Sequence, residues 1–416
     1  WDLNYLDRTV GERFAAVFLG KYQQQLPQFT GNTLESFGAD EMVLLNGEIA
    51  FSPALLERIR SKRGYDPTPY LIGLFADIGA YTERIRCDYY EAMTALLEEN
   101  FYRAPSTWLE QRGMKHSTLS QLGAGESLAQ TAQVGDIFRY LRTFHIPGNE
   151  DPGTAGPGER RLMASKLSSS VANLYDRSRA VMCVHYAAGW GQTQEQNLAW
   201  TNESYAKGLN LYTRHGNQYT LMGGWYEYVP PADHFYQPVW RYWGTFVRYV
   251  TRVSYLLSQG KHRADVALLY PMSTIHAHWV AGRTSGAAGI LDDEGFAAPG
   301  VNNPFAPPAI EAARSLQDLA KALFDDGIDF DFVDSDSLMR AVVRSGVLEI
   351  SGVEFRSIVL PALSTVSLHS MQKIREFHAG GGTVVSFGRL PSITPENGRN
   401  DPQLIGLLDA IFGPRG

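Results

Sequence analysis

Short strand-like segments alternate with long helical patterns along residues 1–262, and this alternation restricts the fold more than any single residue does. Thr9 to Leu26 places Val10, Phe14, Val17, Phe18 and Tyr22 on one helical face, and Phe29 to Ser36 then reads as a strand with its loop. Ser52 and Pro53 supply a cap and a first-turn proline for the next helix, which Arg63-Gly64-Tyr65-Asp66-Pro67 stops. Tyr81 to Tyr102 is a further helix. Gly113 to Leu122, Phe138 to Ile146, Ala180 to His185 and Gly208 to His215 read as strands, separated by helical stretches such as Arg161 to Tyr175. The pattern predicts a parallel α/β architecture of the (β/α)8 TIM-barrel type. Five or six strands are visible where a closed barrel has eight, so this reading expects an N-terminal part upstream of Trp1.

After Gly260-Lys261-His262 the texture changes. Ala264 to Tyr270 is an apolar run bounded by Pro271, and a Gly/Ala/Pro-rich loop extends from Gly282 to Pro308. Helix Ile310 to Asp325, strand Asp329 to Val333, helix Ser335 to Val343, strand Ser357 to Pro361, helix Ser367 to Ala379 and strand Gly382 to Phe387 follow. The expected division is a partial barrel over 1–262 and a doubly wound α/β domain over 263–416. The order of the second domain resembles the class I glutamine amidotransferase-like fold. Such chemistry needs a cysteine nucleophile, and no cysteine follows Cys183, so this domain is expected to be structural.

In a parallel barrel, catalytic groups sit where strands end and loops begin. One strand runs out into His185 and Tyr186, with Gly189, Trp190 and Gly191 close behind, and another runs into Arg214 and His215. The segment from Tyr219 to Trp243 adds Trp225, Tyr226, Tyr228, Tyr236, Trp240 and Tyr242, more aromatics than a simple connection needs. These features suggest a sugar-sized cleft, with His116, His185, Trp190, Arg214, His215 and Tyr226 as candidate substrate-binding residues. The alternative for each histidine is a satisfied structural role. Glu35, which Thr30-Gly31-Asn32-Thr33-Leu34 leads to, is a candidate general acid, because glycosidic cleavage needs a proton delivered to the leaving oxygen. Glu150 and Asp151 follow His145-Ile146-Pro147-Gly148-Asn149 and could position a sugar or hold a hard cation such as calcium.

The remaining composition narrows the partners. A net charge of −7 and the lack of a Lys/Arg block argue against a nucleic-acid partner. Two cysteines, Cys87 and Cys183, are too few for a disulfide scaffold or a zinc site. No 18-residue apolar run is present to span a membrane. Gly123-Ala124-Gly125-Glu126-Ser127-Leu128 lacks the third glycine and the strand–helix context of a dinucleotide loop.

Several stretches together resemble glycoside hydrolase family 106, the α-L-rhamnosidases and their relatives. They are Arg63-Gly64-Tyr65-Asp66-Pro67-Thr68-Pro69-Tyr70-Leu71, Arg86-Cys87-Asp88, Lys207-Gly208-Leu209-Asn210 running to His215, Pro230-Pro231, and Arg252 to Gly260 leading into Ala264 to Pro271. The resemblance implies a (β/α)8 barrel followed by an amidotransferase-like domain, and calcium-assisted, inverting cleavage of terminal α-L-rhamnosides by two glutamates. It also implies export, to the periplasm or outside the cell. One family glutamate carries over to Glu35 and another carboxylate, after an Ile-Pro step, to Glu150. A departure follows: where the family has a glutamate before Gly-Trp, this chain has Cys183, or with a small gap His185. The expectation is a glycosidase acting on a terminal deoxy-sugar through Glu35 and Glu150. The competing expectation is a catalytically silent carbohydrate-binding barrel that has lost its base.

Overall fold

A computed structural model describes residues 3–40, 49–119, 127–151, 159–185, 188–214, 216–217, 231, 233–235, 237–281 and 305–414, without the side chains of 129, 151 and 159–161. The first parallel unit contains β1 (Ser36–Ala39), β2 (Lys115–Thr118), β3 (Gly148–Asp151), β4 (Val181–Val184) and β5 (Leu211–Arg214). β1 pairs with β2, and β3, β4 and β5 pair in that order, all parallel. A Ser117–Ile146 bridge, with Thr118 N donating to Ile146 O at 3.2 Å, joins the two sheets.

Two strands lie elsewhere than the sequence pattern predicts. Phe138 to Ile146 was expected to be extended, but Asp136 caps the segment by accepting from Phe138 N and Arg139 N, so Ile137–Leu141 forms a helical turn. The strand begins only after Pro147. Likewise Phe29 to Ser36 contributes a 3₁₀ turn, Pro27–Phe29, and a Thr30–Leu34 bridge, so that β1 starts at Ser36. Proline at the head of that turn fixes its φ and removes a donor, which favours a turn over a ladder. The segments around β2, β4 and β5 lie within the predicted strands.

Side-chain alternation divides the first unit into two faces. Met182 and Val184 pack with Ala172, Tyr205 and Leu209 from the helix side, and Phe37 packs with Ala15, Leu19 and Leu109. Gly38, Ser117, Glu150, Cys183 and Thr213 therefore occupy the opposite, inner face. The register agrees, since Gly38 pairs with Ser117, Glu150 with Cys183 and Cys183 with Thr213.

Sequence stretches far apart meet through one carboxylate. Gly64 ends helix Pro53–Arg63 with φ 72°, a backbone that favours glycine. That turn sends Arg63 Nε and Tyr65 Oη onto the two oxygens of buried Asp88, at 2.6 and 2.9 Å.

The second parallel unit contains β6 (Val266–Leu269), β7 (Phe330–Val333), β11 (Ser357–Leu360) and β12 (Thr383–Ser386), with an antiparallel set β8 (Val342–Arg344), β9 (Val347–Ile350) and β10 (Val353–Phe355) between β7 and β11. The strand order is β12-β11-β6-β7, all parallel. Chain order thus reverses between β6 and β11, as in doubly wound sheets. Helices Pro307–Asp325 and Leu368–Ala379 make the crossovers from β6 to β7 and from β11 to β12. One buried apolar cluster includes Leu96, Phe138 and Leu167 together with Leu268, Phe332 and Leu360, so packing is continuous from one parallel unit to the other. Among the described residues no helix is long and apolar enough to cross a membrane.

A buried ion network reinforces that junction. Arg142 makes a bidentate pair with Glu98, at 2.9 and 2.6 Å, and reaches Asp336 beyond β7 at 2.6 Å. Arg139 lies 3.5 Å from Asp336 and 3.7 Å from Glu98. Breaking a buried pair from one side leaves its partner charged and desolvated. Arg142→Met should therefore lower the free energy of urea unfolding by about 3–5 kcal/mol; a loss below about 1 kcal/mol would show the network to be incidental.

Asp334 adds a pH dependence. Burial, with Asp336 and Asp136 nearby, raises its pKa from 3.8 to about 6. An acid whose folded pKa exceeds its unfolded one favours the fold when protonated, so stability declines as pH rises from 3.8 to about 6. Asp334→Asn should gain on the wild type across that window and run parallel to it above; parallel curves throughout would refute the shift.

Candidate active site

The five strands of the first unit all point the same way, so their carboxyl ends define one mouth. Glu150 stands at that end of β3, on the inner face, and is 9% exposed. Opposite it in the ladder is Cys183, 3% exposed. Burial pushes the Cys183 thiol up to about 12, and the fields of Glu150 and Asp40 push in the same direction. A neutral thiol thus sits beside Glu150 and within the field of Asp40.

Asp40 is the carboxylate that sequence reasoning missed. It follows β1 directly, where Leu119 N donates to Ala39 O at 2.9 Å and continues the β1–β2 ladder. It stands two residues beyond Gly38, at the carboxyl end, where it is exposed and its field reaches Cys183. The signal was present in Ser36-Phe37-Gly38-Ala39-Asp40, a short alternating run ending in an acid, but was hidden by a strand drawn too early.

That same displacement relocates Glu35. It precedes β1, is exposed, and its carbonyl accepts from Lys115 N at 2.8 Å at the start of β2. Glu35 lies three positions before the level of Gly38, Ser117 and Ile146, and Glu150 lies four positions beyond it. Seven residues of strand rise separate them, about 23 Å. The structure does not bring the expected pair together, because the two residues occupy opposite ends of parallel strands.

Of the expected sugar ligands, His116 faces the helices. Its Nδ1 is 2.8 Å from Ser106 Oγ, its ring lies 4.6 Å from that of Phe144, and burial with His145 nearby lowers its pKa to about 3. It is a satisfied buried histidine. His185 also turns away from the inner face. Alternation along β4 would point it inward beside Cys183, but its backbone is left-handed, with φ 73°, and its ring stacks on Trp200 at 5.5 Å. Arg214 sits on the outer face of β5, ion-paired with Asp233 and 5.1 Å from the Trp243 ring centroid. It borders a pocket of about 320 Å³ lined by Tyr212, Trp240, Trp243 and Phe246. Trp190 is 45% exposed and follows Gly189 in a turn closed by Gln192 N donating to Gly189 O at 3.3 Å. His215 and Tyr226 lie outside the described residues.

His185 and Arg214 belong to one closed hydrogen-bond ring. Arg214 Nη2 donates to Gln192 Oε1 at 2.9 Å, which orients the amide so that Gln192 Nε2 donates to His185 Nδ1 at 3.0 Å. His185 Nε2 then donates to Thr201 Oγ1 at 3.2 Å, and Thr201 donates to Asn197 O at 2.7 Å. Arg214 Nη1 closes the ring on Asn197 Oδ1 at 2.7 Å. Helix Gln194–Ala206 supplies two of these partners, and its start is fixed by a capping box between Thr193 and Gln196.

Calcium takes about six to eight oxygen ligands. Among the described residues no three His, Cys, Asp or Glu side chains converge on one point. The ladder neighbour of Glu150 is a thiol, a soft donor. Asp151 occupies the next ladder position, opposite Val184, and its side chain lies outside the described residues. The described donors do not form a calcium shell.

The family model for glycoside hydrolase 106, described as alpha-L-rhamnosidase, matches residues 2–285. A putative beta-glucuronidase of Formosa agariphila is 22% identical over 368 residues, covering 84% of this chain and 27% of its own length. A rhamnosidase from Novosphingobium sp. PP1Y superposes with a TM-score of 0.70 at 18% identity, over 98% of this chain and 36% of that one. A GH42 beta-galactosidase from G. stearothermophilus superposes with a TM-score of 0.57 at 12% identity, over 83% of this chain and 50% of that one. The chain therefore spans well under two thirds of these relatives, and the structural likenesses concern the fold, which is mixed α/β with barrel glycosidases among its neighbours.

The Asp40–Cys183–Glu150 arrangement makes a direct prediction. A third carboxylate at position 183 would be buried beside Glu150 and within the field of Asp40, costing several kcal/mol when ionised. Cys183→Glu should melt well below the wild type at pH 7 and recover part of the loss at pH 5, where the new carboxyl binds a proton. Equal losses at both values would mean that Asp40 and Glu150 exert no field there.

Proposed function

The chain belongs to glycoside hydrolase family 106, and on that premise we propose that it hydrolyses a terminal α-L-rhamnoside at the carboxyl-end mouth of its first parallel unit, with Asp40 and Glu150 as the working carboxylates. The observation that carries this reading is that Asp40 and Glu150 both stand at the carboxyl end of the strands, with Cys183 within the field of each. Inverting hydrolysis needs one carboxyl to protonate the leaving oxygen and another to draw a proton from the attacking water, at roughly 6.5–9.5 Å. Adjacent strands lie about 4.8 Å apart, β2 lies between β1 and β3, and Glu150 stands two residues further along than Asp40, so the two backbones are about 12 Å apart, a spacing from which side chains turned toward each other reach that range.

In this reading water enters between the two acids and attacks the anomeric carbon from the face opposite the departing oxygen. The bond to the aglycone breaks, its oxygen takes the acid's proton, and the sugar leaves with inverted configuration. Cys183, held neutral, gives the water site a wall without a third charge. The second parallel unit, with its strand order β12-β11-β6-β7, is read as an amidotransferase-like structural module, since the only cysteines are Cys87 and Cys183.

Turnover of 4-nitrophenyl α-L-rhamnopyranoside tests the assignment. Glu150→Gln and Asp40→Asn should each lower kcat by about 10²–10⁴-fold, the usual worth of a placed acid or base. Glu35→Gln, at the far end of the strands, should remain within about twofold. A large loss in Glu35→Gln with little in Asp40→Asn would restore the pairing expected from sequence. Binding of L-rhamnose without turnover by the wild type would favour the silent, carbohydrate-binding reading.

A further inference from the structure

Gln192 is the one residue of the hydrogen-bond ring that also belongs to the turn carrying Trp190. Its amide bonds the end of β4 through His185 Nδ1, at 3.0 Å, and the end of β5 through Arg214 Nη2, at 2.9 Å. Its backbone N–H closes the turn on Gly189 O. The residues on either side of Trp190 are glycines, and Gly189 has φ 85°, so the path of this turn depends on what anchors its ends. The side-chain ring is one such anchor: it ties the turn to the ends of β4 and β5, at the mouth that holds Glu150.

We infer that Gln192 is a positioning residue that holds the half-exposed Trp190 indole as a stacking platform for the apolar face of a pyranose, with a 6-deoxy sugar as the favoured class. This rests on the proposal that the mouth takes a terminal rhamnoside. The apolar face of a pyranose presents C–H groups to an aromatic ring, and a C6 methyl in place of a hydroxymethyl extends the apolar edge. Gln192 touches no substrate in this scheme. It acts by fixing where the indole stands, so its contribution appears in sugar affinity more than in the chemical step. His185 serves the same ring, and its left-handed backbone directs the imidazole toward Gln192 and Thr201.

The test measures L-rhamnose binding by isothermal titration calorimetry, together with KM and kcat for 4-nitrophenyl α-L-rhamnopyranoside, on the whole chain. Gln192→Leu should weaken L-rhamnose binding and raise KM by about tenfold or more, with kcat falling no more than about threefold. Trp190→Ala should produce the same shift, and the double variant should add little, since both changes remove one platform. Gln192→Glu can accept from Arg214 and, with His185 protonated on both nitrogens, from His185 while Nε2 still donates to Thr201, so it should recover most of the affinity. Should Gln192→Leu lose its cooperative melt, Gln192→Asn, one methylene shorter and unable to span both partners, carries the same expectation. Unchanged affinity in a folded Gln192→Leu, fully additive losses with Trp190→Ala, or no L-rhamnose binding by the wild type would overturn the inference. Binding without turnover, still sensitive to Gln192→Leu, would support it while refuting the hydrolytic reading alone.

Discussion

The parallel register that sets Glu150 against Cys183, and Cys183 against Thr213, decides what the carboxyl end of the first unit can present. Each strand offers alternate residues to the helices and to the inner face, and a slip of one position would exchange the two sets. Met182 and Val184 fix the choice by filling the space against Ala172, Tyr205 and Leu209. Once they are buried outward, Glu150 and Cys183 have only the inner face left. The apolar packing of β4 is thus what aims a carboxylate into the mouth, and the desolvation of its thiol neighbour follows from the same geometry.

Long-range order depends on a second constraint, the junction between the two parallel units. The shared apolar cluster brings helix Glu159–Leu174 against β7 and helix Thr82–Leu97 against helix Met272–Ala277, which follows β6. Charges placed in such a junction must be matched. Arg142 and Arg139 meet Glu98, Asp136 and Asp336, and Tyr175 Oη donates to Asp334 Oδ2 at 3.1 Å. The residues that would be most costly to desolvate alone are grouped so that each neutralises another. Asp334 has its pKa raised chiefly by burial, and the two other acids near it add to the rise.

Much of the alternation was legible in the sequence, because Ala180 to His185 and Gly208 to His215 are apolar runs with clear ends, and their strands fall inside them. What was not legible came from local competition. Asp136 satisfies two backbone donors and turns an apolar run into a helix start, while Pro27 and the Thr30–Leu34 bridge delay β1. A delay of a few residues moved Glu35 from the mouth to the opposite end and brought Asp40 in its place. The histidines were legible only as residues near strand ends. Whether His116 or His185 faces sugar or helix depends on alternation and on one left-handed backbone angle, neither of which composition encodes.

The departure at Cys183 bears on how the mouth works under the proposed reading. A glutamate there would stand directly across from Glu150 in the ladder, and two such carboxylates at neighbouring strand positions could not both remain ionised at low cost. The thiol removes that conflict and lets Asp40, two strands from Glu150, be the second acid. Spacing then favours a water between the pair over direct attack by a carboxylate, since a retaining mechanism needs its acids about 5–5.5 Å apart and β1 and β3 are not adjacent. The substitution of a neutral, compact side chain for a charged one is in this sense a change of partner for Glu150, and the geometry that makes it possible is the extra residue or two by which β1 runs on past Gly38 to deliver Asp40.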